Sequence, residues 1–213
     1  MKALLDGAEP ENFIFNYQLF GNKYPSSYGV RFGQWLRNDN PKPYNSWGNG
    51  SAMRVSPVAW FYDDLKSTER VAAVSASVTH NHPEGIKGAQ ATAAAIFMAR
   101  TGKSKQEIKD YVAHKYEYLL DFSLDDIRPS YKFDESCQGT VPPAIVAFLT
   151  STDFEDAIRN AISLGGDSDT LTAITASIAE AFYAIPEEIK NQALDYMPSE
   201  LVNILKNFNV YCS

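Results

Sequence analysis

Two carboxylates and a hydroxyl stand close together in one short run of the chain, where they could bind a metal ion. The run Gly165–Thr170 reads Gly-Gly-Asp-Ser-Asp-Thr and opens a predicted helix rich in small residues. If Asp167 is the N-cap, Asp169 and Thr170 lie in the first turn, and the two glycines let the three oxygens converge. Such all-oxygen ligands favour Mg²⁺ or Mn²⁺ over zinc. The alternative is a plain helix start, stabilised by aspartates through the helix dipole.

A glycine-spaced loop offers a second kind of site, for a phosphate. Backbone N–H groups beside glycines can approach a phosphate closely, and neutral side chains can add hydrogen bonds without a basic patch. Read alone, Asn-Gly is more often an ordinary turn. The loop residues that are candidates for binding a diphosphate are Ser46, Trp47, Gly48, Asn49, Gly50 and Ser51.

Two histidines precede a proline that is predicted to start a helix. His80 and His82 stand two residues apart in a loop, with no third His or Cys nearby, which is poor spacing for zinc. A capping role or a contact with a ligand fits them better.

Three larger side chains have both a binding and a structural interpretation. Trp47 and Tyr131 could stack on an adenine, although core packing is the better interpretation of Tyr131 and explains Trp47 less easily. Arg54 could bind a ligand or form an ion pair with a buried carboxylate.

The elements that must position these residues are predicted to be helices throughout. Capping boxes begin at Ser104 and Thr152, and Pro142 and Pro143 suit the first turn of a helix opened by Thr140. Further helices are predicted at Glu11–Phe20, Arg31–Leu36, Pro57–Tyr62, Thr68–Val78, Pro83–Arg100, Ser168–Tyr183, Glu187–Met197 and Ser199–Phe208.

Two helices rich in Ala, Gly, Ser and Thr, at 85–99 and 170–181, are predicted to form the centre of the bundle. Helix faces lined with small side chains allow two helices to approach closely. The aspartate run lies at the start of one and the histidines lie just before the other, so both motifs are expected at one end of the molecule.

Composition indicates one packed domain over residues 1–213, with 45% hydrophobic and 13% aromatic residues. The net charge of −7 and the lack of a Lys/Arg cluster argue against a nucleic-acid partner. Cys137 and Cys212 have no metal-like spacing, which favours free thiols in a reducing compartment. With no leader and no apolar run long enough to span a bilayer, the sequence predicts a cytoplasmic protein without a membrane partner.

Several separated segments together resemble one family. They are Tyr28–Phe32 (YGVRF), Trp47–Arg54 (WGNGSAMR), Thr79–Glu84 (THNHPE) and the Gly-Asp-Ser-Asp-Thr run. In this order they resemble the ADP-ribosylglycohydrolases, which include dinitrogenase reductase-activating glycohydrolases and ADP-ribosyl-acceptor hydrolases. The resemblance covers roughly residues 17–185, and the two central motifs together are far more specific than either alone.

The resemblance implies a compact orthogonal all-α multi-helix bundle that removes ADP-ribose from a modified acceptor. Two Mg²⁺ or Mn²⁺ ions are implied, with Asp167, Asp169 and Thr170 supplying half of their ligands. The loop would contact the diphosphate and ribose, His80 would face the ADP-ribose, and Met53 joins the substrate-binding candidates as part of the motif.

The sequence also departs from the family pattern. Neither the Gly-Asp-x-x-Gly segment nor the Thr-Asp-Asp-Thr segment is present. These would carry the remaining metal ligands and the acid/base carboxylate, so the catalytic residue is unknown and we expect a chain that lacks the first few dozen residues of its family. Impaired hydrolysis and a homo-oligomer that covers exposed apolar surface are therefore expected.

Two other functions remain open at this stage. A catalytically degenerate relative could still bind ADP-ribose, as the crystallin members of the family have kept the fold without the chemistry. A purely structural helical domain is the third hypothesis.

Overall fold

The computed structural model describes residues 1–25 and 28–212, and in that part of the chain every regular element is helical. The all-α prediction is confirmed, and an isolated bridge between Gly48 and Ser136 is the one extended pairing among these residues. The helices are α1 Lys2–Leu5, α2 Pro10–Lys23, α3 Val30–Leu36, α4 Gly50–Met53, α5 Ser56–Phe61, α6 Leu65–Ser77, α7 Pro83–Arg100, α8 Lys105–Tyr116, α9 Leu124–Ile127, α10 Cys137–Thr150, α11 Phe154–Ser163, α12 Ser168–Tyr183, α13 Glu187–Asp195 and α14 Ser199–Cys212.

The predicted start of α10 is wrong. The helix begins at Cys137, where the Ser136 side chain caps it by accepting a hydrogen bond from the Gly139 N–H at 3.0 Å. Pro142 and Pro143 therefore lie inside the helix, where each removes an N–H donor. The Gly139 carbonyl, which would pair with the N–H of residue 143, accepts instead from the Tyr131 hydroxyl at 3.0 Å. This bond ties the segment before α10 to the helix.

Two predicted caps have different outcomes. Ser104 begins a full capping box with Glu107, as predicted. At α11 the cap lies one residue later than predicted: Asp153 accepts from the Asp156 N–H at 2.8 Å, and Thr152 donates its own N–H to the Asp156 carboxylate at 2.8 Å. An aspartate is the stronger N-cap of the two candidates.

Helix α7 forms the centre of the bundle, with packing contacts to α4, α5, α6, α8, α10 and α12. Twelve of its side chains or glycines are buried, and most of them are small. The closest approach is at Gly88, where an added Cβ would lie 2.4 Å from the Cys137 sulfur. The predicted role of this helix is confirmed, and it brings the starts of α4, α7, α10 and α12 to one end of the molecule.

In the described part of the chain, no helix is both long and apolar enough to cross a membrane.

Exposed apolar side chains on α2 lead us to expect self-association of the chain. Phe15 and Leu19 lie one helical turn apart on α2 and are both exposed. Exposed apolar patches drive association, so we expect light scattering after size exclusion to give a mass above the 23.7 kDa of one chain. The double variant Phe15→Lys/Leu19→Lys should shift the distribution toward the monomer. A monodisperse wild-type monomer would contradict this expectation.

Candidate functional site

Asp167 is the N-cap residue of α12, as predicted, but it does not act as a simple cap. Its side chain makes no capping bond to the helix, and one carboxylate oxygen accepts a hydrogen bond from the Asn49 amide at 2.7 Å. Gly165 and Gly166 before it both have left-handed φ values, +72° and +64°. A Cβ at Gly166 would also lie 2.9 Å from the Lys132 carbonyl, so this position requires glycine.

The Asp167 and Asp169 carboxyl groups lie within hydrogen-bonding reach of each other. Burial raises the pKa of Asp167, whereas the hydrogen bond with Asp167 lowers the pKa of the exposed Asp169. Two neighbouring carboxylates repel unless a proton or a cation lies between them. Among the described residues, no Lys or Arg forms an ion pair with either one. The pair is therefore short of positive charge.

Glu69 shows how the same fold pairs another buried carboxylate. It is buried, and its oxygens accept hydrogen bonds from the hydroxyls of Tyr111 at 2.7 Å and Tyr116 at 2.6 Å and from the Lys115 ammonium at 2.5 Å. Burial opposes its ionisation, but Lys115 and the two hydroxyls outweigh that cost and the pKa of Glu69 falls below normal. Asp167 has no comparable cationic partner.

The donors at the start of α12 fit a hard divalent cation in chemical type. Asp167, Asp169 and Thr170 supply two carboxylates and a hydroxyl, and the Thr170 hydroxyl contacts both the Asp167 side chain and, at 3.6 Å, the Met53 sulfur. The set is partial, because the described residues contain no group of three or more His, Cys, Asp or Glu that could hold an ion. Binding of Mg²⁺ or Mn²⁺ here stays a prediction.

The loop of residues 46–51 is attached to the start of α10. The Trp47 carbonyl accepts from the Cys137 N–H at 2.9 Å, the Asn49 N–H donates to the Glu135 carbonyl at 2.7 Å, and the Gly48 N–H donates to the Ser46 hydroxyl at 3.1 Å. The N–H groups of Gly48 and Asn49 are therefore already used within the protein. A phosphate would have to use other groups of the loop.

Two loop side chains predicted to bond a ligand point into the protein. Asn49 is buried and donates to Asp167, and Ser51 is buried and donates to the Gly85 carbonyl at 2.8 Å. Trp47 and Met53, in contrast, are 48% and 42% exposed. The most exposed side chain of the loop is thus apolar, as is that of Met53 at the end of α4, whereas Asn49 and Ser51 hold the loop against its neighbours. Contacts of any of the loop residues, including Gly50, with a ligand stay predictions.

His80 lies beneath the loop in a buried position. Its Nδ1 is 2.7 Å from the Thr79 hydroxyl, and its Nε2 faces Gly48 and Gly50, where an added Cβ would lie 3.4 and 3.6 Å away. Burial, with a smaller effect of two nearby arginines, lowers the pKa of His80 to about 3. The ring is therefore neutral at physiological pH, and it supports the two glycines of the loop.

His82 caps α7. Its Nδ1 accepts from the Glu84 N–H at 3.1 Å, and its ring meets the Trp47 ring edge-on with centroids 5.4 Å apart. The capping interpretation is confirmed, and the ring also holds the exposed tryptophan.

Arg54 has no carboxylate partner among the described residues, so the predicted ion pair is absent there. Its guanidinium lies 4.2 Å from the centre of the Tyr17 ring and donates to the Thr79 hydroxyl at 2.6 Å. Because Thr79 also contacts His80, Arg54 helps to order the ring beneath the loop.

The sequence interpretation missed Thr140. It is fully buried on α10, and its hydroxyl accepts from the Asn49 amide at 2.9 Å and donates to the Asp134 carbonyl at 3.0 Å. No local signal reveals this role, because Thr140 and Asn49 are 91 residues apart. Tyr131 packs against Gly166 and is half-buried, and burial raises its pKa to about 12.

A cavity of about 560 Å³ lies away from all these residues, between α8, α9 and α10. Lys105 lines it, but the Lys105 ammonium donates to the carbonyls of Leu149, at 3.0 Å, and Ser151, which end α10. That lysine has a structural role at the end of the helix, and the candidate site is the surface formed by the loop and the start of α12.

The chain belongs to the ADP-ribosylglycohydrolase family, whose model matches residues 5–209. Among its relatives, an uncharacterized protein of Archaeoglobus fulgidus is 32% identical and covers 65% of this chain and 50% of its own length. ADP-ribosylarginine hydrolase Tri1 of Pseudomonas putida is 31% identical, and the match covers 71% of this chain and 42% of Tri1. Human ADP-ribosylhydrolase ARH3 is 25% identical, and the match covers 74% of this chain and 56% of ARH3. This chain therefore spans about half the length of these curated relatives.

A solved structure also resembles this one. It is described as an ADP-ribosylglycohydrolase-related protein complex, and it matches with a TM-score of 0.65 at 24% identity over 86% of this chain and 68% of that chain. This likeness shows the fold, and it agrees with the family match.

Proposed function

We propose that this chain forms the ADP-ribose-binding and cation-binding face of a divalent-metal-dependent ADP-ribosyl hydrolase. The observation that carries the proposal is the 2.7 Å contact between Asn49 and Asp167, which brings the glycine loop and the aspartate pair to one surface. The relatives named ADP-ribosylhydrolase and ADP-ribosylarginine hydrolase support an ADP-ribosylated acceptor as the substrate class.

The residues of this surface divide into two groups with different tasks. Trp47, exposed and held edge-on by His82, offers a flat ring to the adenine. His80 supports the two glycines so that the diphosphate and ribose can lie against the loop.

Asp167, Asp169 and Thr170 would hold a Mg²⁺ or Mn²⁺ ion on the other side of the surface. A cation bound there would supply positive charge near the distal ribose hydroxyls and the anomeric carbon. The carboxylate pair, short of positive charge in the protein itself, supports this assignment.

We further propose that the 213-residue chain binds ADP-ribose but hydrolyses ADP-ribosyl conjugates only slowly. Hydrolysis of a glycosidic bond needs an acid/base carboxylate in addition to a metal site. The described residues provide a partial donor set and no third acidic side chain grouped with it. Turnover should therefore be slow.

Calorimetry with ADP-ribose, with and without Mn²⁺, tests the proposed binding. We expect the affinity to rise when Mn²⁺ is present, and Trp47→Ala to weaken binding by about 1–3 kcal/mol, the usual worth of a base stacked on an aromatic ring. Tyr196→Ala, at an exposed aromatic beyond α13, is the matched control and should bind like the wild type. Failure of the wild type to bind ADP-ribose would refute the proposal.

The same samples separate the two remaining functions. Slow but Mn²⁺-dependent release of ADP-ribose from an arginine conjugate would support an impaired hydrolase. Tight binding without any release would favour an ADP-ribose-binding relative, for which the partial donor set is the supporting observation.

A further inference from the structure

We propose that Asn49 and Thr140 are positioning residues for the Asp167 carboxylate and set the cation affinity of the site from behind it. This inference rests on the proposed function, and it assigns Asn49 a role through Asp167 in place of a direct contact with ADP-ribose.

The direction of the Asn49 amide is determined by its neighbours. Its nitrogen lies 2.7 Å from an Asp167 oxygen, 2.9 Å from the Thr140 hydroxyl and 3.5 Å from the Asp134 carbonyl. A carboxylate and a carbonyl can only accept hydrogen bonds, so the NH₂ end must face them. Both amide hydrogens are then committed inside the protein.

Thr140 fixes the amide in turn. The hydroxyl donates its single hydrogen to the Asp134 carbonyl at 3.0 Å, which leaves its lone pairs to accept from Asn49. A chain of hydrogen bonds therefore runs from Asp134 through Thr140 and Asn49 to Asp167, and it joins three separate parts of the sequence. Thr140 is fully buried, so it cannot touch a cation or ADP-ribose.

This series of hydrogen bonds has a direct consequence for cation binding. One Asp167 oxygen is held by Asn49, which fixes the orientation of the whole carboxylate. Hydrogen-bonding partners that orient a metal ligand in this way commonly change metal affinity by about 10–100-fold when they are removed. Without this hydrogen bond the Asp167 carboxylate would be free to rotate. The site would then bind the cation less tightly, although every residue that contacts the cation is still present.

Mn²⁺ binding to the full chain, followed by electron paramagnetic resonance of the free ion, tests the inference. We expect Asn49→Ala to weaken Mn²⁺ binding by roughly 10-fold or more, and Thr140→Val to weaken it several-fold, whereas Thr140→Ser, which keeps the hydroxyl, restores affinity to within about twofold of the wild type.

Thr175→Val is the matched control for lost stability. Thr175 is also fully buried, and its hydroxyl donates to the carbonyls of Ala144 at 2.9 Å and Leu171 at 3.0 Å, outside the site. The melting temperature of Thr175→Val should fall as that of Thr140→Val does, whereas the Mn²⁺ affinity of Thr175→Val should equal that of the wild type. Equal Mn²⁺ affinity in Thr140→Val and the wild type, or equal losses in both valine variants, would overturn the inference alone. A wild type that binds no Mn²⁺ would overturn the proposed function together with it.

Discussion

Asp167→Asn should abolish the response of the chain to Mn²⁺ and at the same time stabilise the metal-free protein. The substitution removes one of the two carboxylates offered to the cation, and we expect affinity for Mn²⁺ to fall by more than the roughly 10–100-fold that follows loss of a residue that only orients a ligand. It also replaces a buried charge, held against Asp169 without a cationic partner, by a neutral group of the same shape. Removing such a charge should raise the melting temperature of the metal-free protein.

The two opposite effects distinguish a site that is built for a cation from a structural cap. Asp169→Asn is the matched control, because Asp169 is exposed and should lose Mn²⁺ affinity with a smaller gain in stability. Thermal melting in EDTA and in Mn²⁺ measures both quantities. If Asp167→Asn melted well below the wild type in EDTA, the carboxylate would be stabilising the fold, and the interpretation of the aspartate pair would be wrong.

Gly88→Ala should be among the most destabilising single methyl additions in the chain. The new Cβ would lie 2.4 Å from the sulfur and 2.8 Å from the Cβ of Cys137, so α7 and α10 would have to separate. Overpacking of this kind costs about 1–3 kcal/mol or more. The Cys137 N–H and thiol also hold the carbonyls of Trp47 and Gly48, so loosening α10 should weaken ADP-ribose binding as well.

Two controls make this prediction specific to the contact between the helices. Gly33→Ala is the same change within α3, where an added Cβ has no neighbour closer than 3.8 Å, and it should raise stability slightly through helix propensity. Gly88→Ala combined with Cys137→Ala removes the sulfur and should recover part of the loss in urea denaturation. Strict additivity of the two substitutions would contradict a direct clash.

The sequence predicts features that depend on near neighbours along the chain. Ser104 and Glu107 are three residues apart, and the capping box that they form was predictable from that spacing. The placement of Asp167 at the start of α12, after two glycines in left-handed conformations, follows from equally local rules. The small residues of α7 indicated a central helix in the same way.

The parts that were not predictable depend on contacts between distant segments. Asn49 and Asp167 are 118 residues apart, and nothing near Asn49 in the sequence indicates that its amide points inward. The start of α10 was misplaced because prolines usually mark a first turn, whereas here the Tyr131 hydroxyl satisfies a carbonyl that a proline leaves free. Long-range partners of this kind decide which side chains of a loop face a ligand.

The most direct test of the proposed site is a crystal structure of the chain with ADP-ribose and Mn²⁺, with the metal located by anomalous scattering. We expect a Mn²⁺ peak about 2.1 Å from oxygens of Asp167, Asp169 and Thr170, with the diphosphate against the loop of residues 46–51 and the adenine on Trp47. Mn²⁺ bound elsewhere, or ADP-ribose bound away from that loop, would contradict it.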